Sequence, residues 1–149
     1  LALLPVILWA GKSINMSNIT QVVNTDKNLK TLKRGVHASD LDQLLSSTGP
    51  FTFFAPSDLA FEKLQTGMLE NLLEPQNRVK LAELMNTHIV AGKIFFNDLK
   101  DGDNLTTVNG KNLSIKVIDG KVSIGDTAIL ANPTKISNGV VHSADTVMV

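Results

Sequence analysis

The side chains able to do chemistry in this chain are few, and their spacing limits what they can do. Its three histidines are His37, His88 and His142, and no two stand in an i,i+4 or His-x-His arrangement. Zinc is therefore not expected. Ser143 and Asp145 follow His142 closely enough to suggest a serine triad, but neighbours on a strand point to opposite faces, so His142 and Ser143 cannot meet. Ser57 lies outside any G-x-S-x-G turn, and its place before Asp58, Leu59, Phe61 and Leu64 is that of a helix N-cap. Asp98, Asp101 and Asp103 invite a calcium reading, yet no glycine at the sixth loop position and no late glutamate complete it, so a solvated turn is expected. The chain has no cysteine, which removes disulfides, thiolate nucleophiles and Cys-ligated metals. With no phosphate-binding loop and no dinucleotide fingerprint, no catalytic residue, cofactor or metal is expected.

Bulk composition narrows the partners. Fourteen basic and fourteen acidic residues cancel, so no overall field draws the chain to nucleic acid or to an anionic membrane. Six Phe and one Trp, with no Tyr, make a poor platform for stacking bases. At 149 residues a single domain with one core is expected. Leu1 to Ala10 is an apolar run half the length of a membrane-spanning helix, which needs about 20 residues. It reads as the end of a signal-peptide apolar region or as a segment packed on the domain. Residues 1–17 are accordingly set apart as leader and linker, with the domain at 18–149.

The elements follow in order. Asn18 caps a helix carrying Ile19, Val22, Val23, Leu29 and Leu32, with Lys30, Lys33 and Arg34 in its last turn and Gly35 as terminator. His37 follows the terminator and is read as exposed. Ser39 opens a second helix, and Ser46 to Pro50 stops it. Phe51 to Leu64, FTFFAPSDLAFEKL, is the centre of the pattern: a buried strand between Pro50 and Pro56, then a helix capped by Ser57. A short helix follows Gly67, and a longer one starts at Pro75 and hands over to a strand near His88. Asn97 caps a turn of helix. Beyond Lys100 to Asn104 the apolar period becomes two, with strands at Leu105–Val108, Leu113–Ile118, Lys121–Ile124 and Ala128–Leu130. Asn109-Gly110 and Asp119-Gly120 are hairpin signals between them. Asn132-Pro133 breaks the run, and a last strand extends from Val140 to Val149. A helical first half and a hairpin-rich second half define an α+β fold. Asn-x-Ser/Thr sequons fall at Asn15, Asn18, Asn104 and Asn112.

FTFFAPSDLAF, NTHIVAGKI and SNGVVHSADTVMV, in this order and spacing, resemble the blocks of the fasciclin domain, and TTVNGKNLSIKV and KVSIGDTAIL resemble its hairpin region. The resemblance runs from about Asn18 to Val149. It implies short helices packed on a β-sandwich-like core, in an extracellular, periplasmic or surface-anchored adhesion module with no shared catalytic activity. Two positions depart from the family pattern. Thr87 stands where the family has the Tyr of a Tyr-His pair, although His88 is kept. Pro133 and Thr134 occupy the place of an Asp-Ile pair that the family ties to integrin binding.

The function expected is a non-enzymatic adhesion or binding module, secreted, periplasmic or at the cell surface, whose partner is a cell-surface protein or polysaccharide. Its recognition surface is placed at Thr87, His88 and Ile89 and around Pro133 and Thr134. For His88 and His142 a buried, hydrogen-bonded structural role is the competing expectation. The alternatives are a small-ligand or lipid carrier, an uncharacterised hydrolase, or a structural envelope protein that self-associates. Nucleic acid is not an expected partner, and membrane association is expected only through an anchor or signal segment.

Overall fold

The computed structural model describes residues 18–47, 49–131 and 133–148. The expectations for residues 1–17, and for the strand end at Val149, lie outside them. Six short helices come first or intervene: α1 (Ile19–Thr25), α2 (Lys30–Ala38), α3 (Asp42–Ser46), α4 (Asp58–Glu62), α5 (Met68–Leu72) and α6 (Arg78–Asn86). The strands are β1 (Phe51–Pro56), β2 (Ile89–Ala91), β3 (Asn104–Thr106), β4 (Asn112–Ile118), β5 (Lys121–Ile124), β6 (Thr127–Ile129), β7 (Thr134–Ile136) and β8 (Gly139–Ala144).

The sheet runs β2-β1-β8-β6-β5-β4-β3, with β7 also paired to β8. Its two ends meet, because Val90 bridges Thr107 and Val108 N–H donates to Ile89 O at 2.9 Å. The sheet is thus almost closed on itself, which leaves little exposed strand edge. The expected α+β class holds, with a mixed, near-barrel sheet in place of a simple sandwich.

β1 is the shared wall of two cores. All six of its residues are buried, and strand alternation divides them. Phe51, Phe53 and Ala55 enter a cluster with the helices, through Ile19, Leu32, Leu45, Leu81 and Met85. Phe54 enters the cluster inside the barrel, with Leu113, Ile115, Val122, Ile124 and Ile129. A strand buried on both sides reads as a continuous apolar run, which is what FTFFAP is. On the barrel side Thr52 is fully buried yet satisfied: its hydroxyl donates to Gly92 O at 2.6 Å and accepts from Ile94 N–H at 2.8 Å.

β1 pairs in parallel with β8, Phe53 opposite Val141 and Phe51 opposite Gly139. The chain comes so close here that a Cβ on Gly139 would lie 1.9 Å from Phe51 O. Only glycine fits. Asn138, just before it, is buried and pins the helices to the sheet. Its Oδ1 accepts from Ile19 N–H at 3.0 Å, and its Nδ2 donates to Leu45 O and Ser47 O at 2.8 and 2.7 Å.

Several local boundaries differ from those expected. The first helix is two, because Asp26 Oδ1 accepts from Asn28 N–H at 2.8 Å and closes a turn between α1 and α2. Gly35 is not a terminator: it lies inside α2 and is buried, 3.4 Å from Met85 Sδ when given a Cβ, so it lets α2 approach α6. Ser39 closes α2 rather than opening α3, its hydroxyl donating to Gly35 O at 2.7 Å. Asn97 sits within a 3-10 turn (Phe96–Asp98) whose cap is Asp98 Oδ2, 2.9 Å from Phe95 N–H. β7 occupies the stretch between Pro133 and the last strand, where no element is expected, and β8 ends at Ala144. Ser57 caps α4 as expected, accepting from Ala60 N–H at 3.3 Å. Asp119 and Gly120, with φ of 54° and 77°, form the expected hairpin turn.

Candidate recognition surface

The junction between α6 and β2 is built from backbone geometry outward. α6 ends at Asn86, and Thr87 caps it, its hydroxyl donating to Glu83 O at 2.9 Å. The β3–β4 loop reaches over this end: Asn109 Nδ2 donates to Glu83 O at 3.1 Å and to Thr87 Oγ1 at 3.2 Å. Asn109 Oδ1 in turn accepts from the Thr107 hydroxyl. The Asn-Gly pair thus does more than turn the chain, since Asn109 ties the loop to the helix.

His88 is fully buried, and both its ring nitrogens are used. Nδ1 lies 2.8 Å from Leu84 O, and Nε2 accepts from Met148 N–H at 2.9 Å. An acceptor role for Nε2 places the proton on Nδ1, where it is donated to Leu84 O. Burial lowers the His88 pKa to about 4, partly offset by the Leu84 carbonyl. The ring therefore stays neutral and joins the end of α6 to the C-terminal segment. His88 O also accepts from Phe54 N–H at 2.8 Å, which fixes β1 to the same point.

His142 is the second lock. It is fully buried, stacks on Phe54 with ring centroids 5.2 Å apart, and has Nε2 2.6 Å from Ile94 O. Burial lowers its pKa as well, again against a carbonyl hydrogen bond. Its Nδ1 has no hydrogen-bond partner among the described residues. Ser143 points outward from the same strand, as the alternation requires. His37 is exposed, its Nε2 2.9 Å from Asn24 Oδ1.

The residues expected to meet a partner divide by burial. Thr87, His88 and Ile89 have 7%, 0% and 0% of their surface exposed, so these side chains do not face solvent. Thr87 lies at the bottom of an open concavity of about 490 Å³, whose rim includes Lys111, Ser114, Asp126 and Thr146. Pro133 is half-buried and Thr134 exposed, at the start of β7. Beside them Lys135 stands over the Phe95 ring, its ammonium 5.2 Å from the centroid. The sheet sets both places on one row, Ile89 opposite Phe53, Phe53 opposite Val141, and Val141 opposite Thr134. Three strand spacings of about 4.8 Å keep them about 14 Å apart. The fold aligns the two places without bringing them into contact.

The acidic loop is accounted for by local bonding. Asp98 caps the 3-10 turn, and Asp101 Oδ1 accepts from Val117 N–H at 2.9 Å. Among the described residues no group of three or more His, Asp or Glu is arranged to hold a metal. No described helix is long and apolar enough to cross a membrane.

A near-closed mixed sheet with helices on one side of a doubly buried central strand is the architecture of a fasciclin-type domain. The chain superposes with a TM-score of 0.81 on the FAS1 domain pair of the insect cell adhesion molecule fasciclin I, covering 91% of this chain and 52% of that one. Identity there is 17%, so the likeness concerns the fold. The pattern of the fasciclin domain family matches residues 27–149, and the chain belongs to that family.

Relatives of two kinds share it. Protein sll1483 of Synechocystis sp. is 38% identical over 130 residues, spanning 87% of this chain and 72% of that protein. Protein sll1735 of the same organism is 34% identical over 133 residues, 89% of this chain and 98% of that one. The transforming growth factor-beta-induced protein ig-h3 of Sus scrofa is 30% identical over 135 residues, where the chain covers 89% of itself and 19% of that protein. The domain thus occurs both as nearly a whole protein and as a small part of a longer one.

Proposed function

We propose that this fasciclin domain is a non-enzymatic adhesion module, secreted, periplasmic or at the cell surface, that recognises a protein or polysaccharide partner. The observation that carries the reading is membership of a family whose fold is that of a cell adhesion molecule. The burial pattern agrees with it: His88 and His142 are spent on internal hydrogen bonds, and Ser57 on a helix cap.

Recognition is assigned to the face over the α6–β2 junction. Thr87, His88 and Ile89 act there by position, holding the concavity whose rim carries Lys111 and Asp126. The exposed Thr134 and Lys135 extend the surface along the sheet. A module of this size binds weakly through one patch, and several copies at a surface raise the avidity.

The test is binding of the full chain to intact cells and to a glycan array, with two surface variants beside it. Lys111→Gln/Asp126→Asn alters the rim, and Thr134→Ala/Lys135→Gln alters the β7 end, both at exposed positions. Saturable binding lost in either variant supports the assignment. Binding that survives both moves the site elsewhere, and a wild-type chain that binds nothing overturns the adhesion reading.

A further inference from the structure

One exposed helix face carries charge that the fold does not use. Lys30, Lys33, Arg34 and His37 recur along α2 at intervals of three and four residues, and so share one face. At about 100° per residue that face is opposite the one formed by Leu32, Gly35 and Val36, which is buried. Lys27 adds a further cation in the turn before the helix. All five side chains are exposed, and Lys27, Lys30, Lys33 and Arg34 have no ion pair among the described residues.

This arrangement works against the helix. Lys30 is the first residue of α2, at the positive end of the dipole, and Lys33 and Arg34 follow in the next turn. No acidic residue stands in the first turn. The carboxylates at this end come from outside the helix: Asp58 accepts from Thr31 N–H at 2.8 Å, and Asp26, in the turn before α2, accepts from Asn28 N–H at 2.8 Å. The repelling pairs at i,i+3 and i,i+4 add to the cost. Two cations elsewhere are paired, Arg78 with Asp40 at 2.9 Å and Lys63 with Asp145 at 3.8 Å. A local rule broken without an internal gain marks a surface shaped by a partner.

The cations border a shallow concavity of about 660 Å³ between α1 and α2. Asn24 and Thr25 supply amide and hydroxyl groups to its wall. Asn24 Oδ1 accepts from the His37 ring at 2.9 Å. The nearby carboxylates are already placed, Asp26 on Asn28 N–H and Asp42 3.7 Å from His37.

We propose that the α2 face is a docking surface for an acidic polysaccharide, with Lys27, Lys30, Lys33 and Arg34 meeting successive carboxylate or sulfate groups. Neighbouring cations lie about 5–6 Å apart at their Cβ atoms, on the scale of one sugar ring. The Asn24 amide on the α1 side of the concavity suits a ring hydroxyl. Among the described residues no Phe or Trp lines the concavity to stack a base, and no Leu, Ile, Val or Met lines it to enter a lipid headgroup layer. The surface is separate from the junction face, so the two assignments fail separately.

The test measures equilibrium binding of the full chain to polygalacturonate, with neutral dextran, a single-stranded polynucleotide and anionic phospholipid vesicles as comparators. The variant Lys30→Gln/Lys33→Gln/Arg34→Gln keeps good helix formers at exposed positions, and circular dichroism confirms its fold. A second variant, Lys100→Gln/Lys116→Gln/Lys121→Gln, removes the same charge from exposed sites in the other half. Wild type is expected to bind polygalacturonate but not dextran, more weakly as salt rises. At about threefold per surface cation, the α2 variant should bind about 30-fold more weakly. The second variant should match wild type. Absence of wild-type binding, or equal loss in the two triple variants, overturns the proposal. So does tighter binding to the polynucleotide or to the vesicles.

Discussion

Lowering the pH from 7 to 5 should weaken this domain through His88 in particular. The folded ring titrates at about 4 and the unfolded one near 6.5. Between those values the unfolded chain binds more protons than the folded one, so stability rises with pH across the window. The contribution is fully present above the unfolded value and is lost as pH falls towards the folded one. The whole shift is worth about 3 kcal/mol, and about 2 kcal/mol of it is lost between pH 7 and 5. The structural cause is specific: a proton on Nε2 would face the Met148 N–H, two donors in place of one bond at 2.9 Å. His142, also lowered by burial, adds a loss of the same sign. Urea unfolding followed by circular dichroism at each pH gives the wild-type slope, and His88→Gln, which does not titrate, gives the reference. Wild type should lose about 2 kcal/mol more than the variant over this range. Parallel losses, or a His88 ring that titrates near 6.5 by NMR, would refute the assignment of a buried, singly protonated ring.

Phe54→Ala empties a fully buried site and removes the ring stacked on His142, so it should cost about 3–5 kcal/mol in chemical unfolding. Unchanged stability would contradict the placement of β1 between two cores. Asn138→Ala strips hydrogen bonds from Ile19 N–H, Leu45 O and Ser47 O and should cost about 2–4 kcal/mol. Amide exchange of Ile19 should accelerate in that variant, and unchanged protection there would show that the side chain is not the pin. Gly139→Ala forces a Cβ against Phe51 O and should prevent accumulation of folded protein, whereas a folded variant with native stability would mean that β1 and β8 are further apart.

How far these features were legible depends on the range of the interactions behind them. FTFFAPSDLAF shows its strand, cap and helix because each signal acts within a few residues: the aromatic run, the flanking prolines and Ser57 at the cap. Asp119-Gly120 is equally local. Asn138 and Gly139 stand just before the expected last strand, and both are held by distant parts of the chain, which no local signal records. Lys30, Lys33 and Arg34 read as the end of a helix, where cations are favoured, but the Asp26 turn makes them its beginning. The burial of the candidate site was the least legible part, because His88, the kept member of the family's pair, is conspicuous in the chain while it and Thr87 are turned inward.

The sequence by itself determined the class, the family resemblance, the central strand and the hairpins, and it supplied no arrangement of residues for catalysis or metal binding. Those conclusions rest on periodicity and on residue type, which need only near neighbours. Tertiary structure alone decided which side chains face inward and which carry unspent charge. His88 meets Met148 across 60 positions, and Ile19 meets Asn138 across 119. Burial and hydrogen bonding of this kind are set by elements that meet only when the sheet closes, and no local pattern records that meeting.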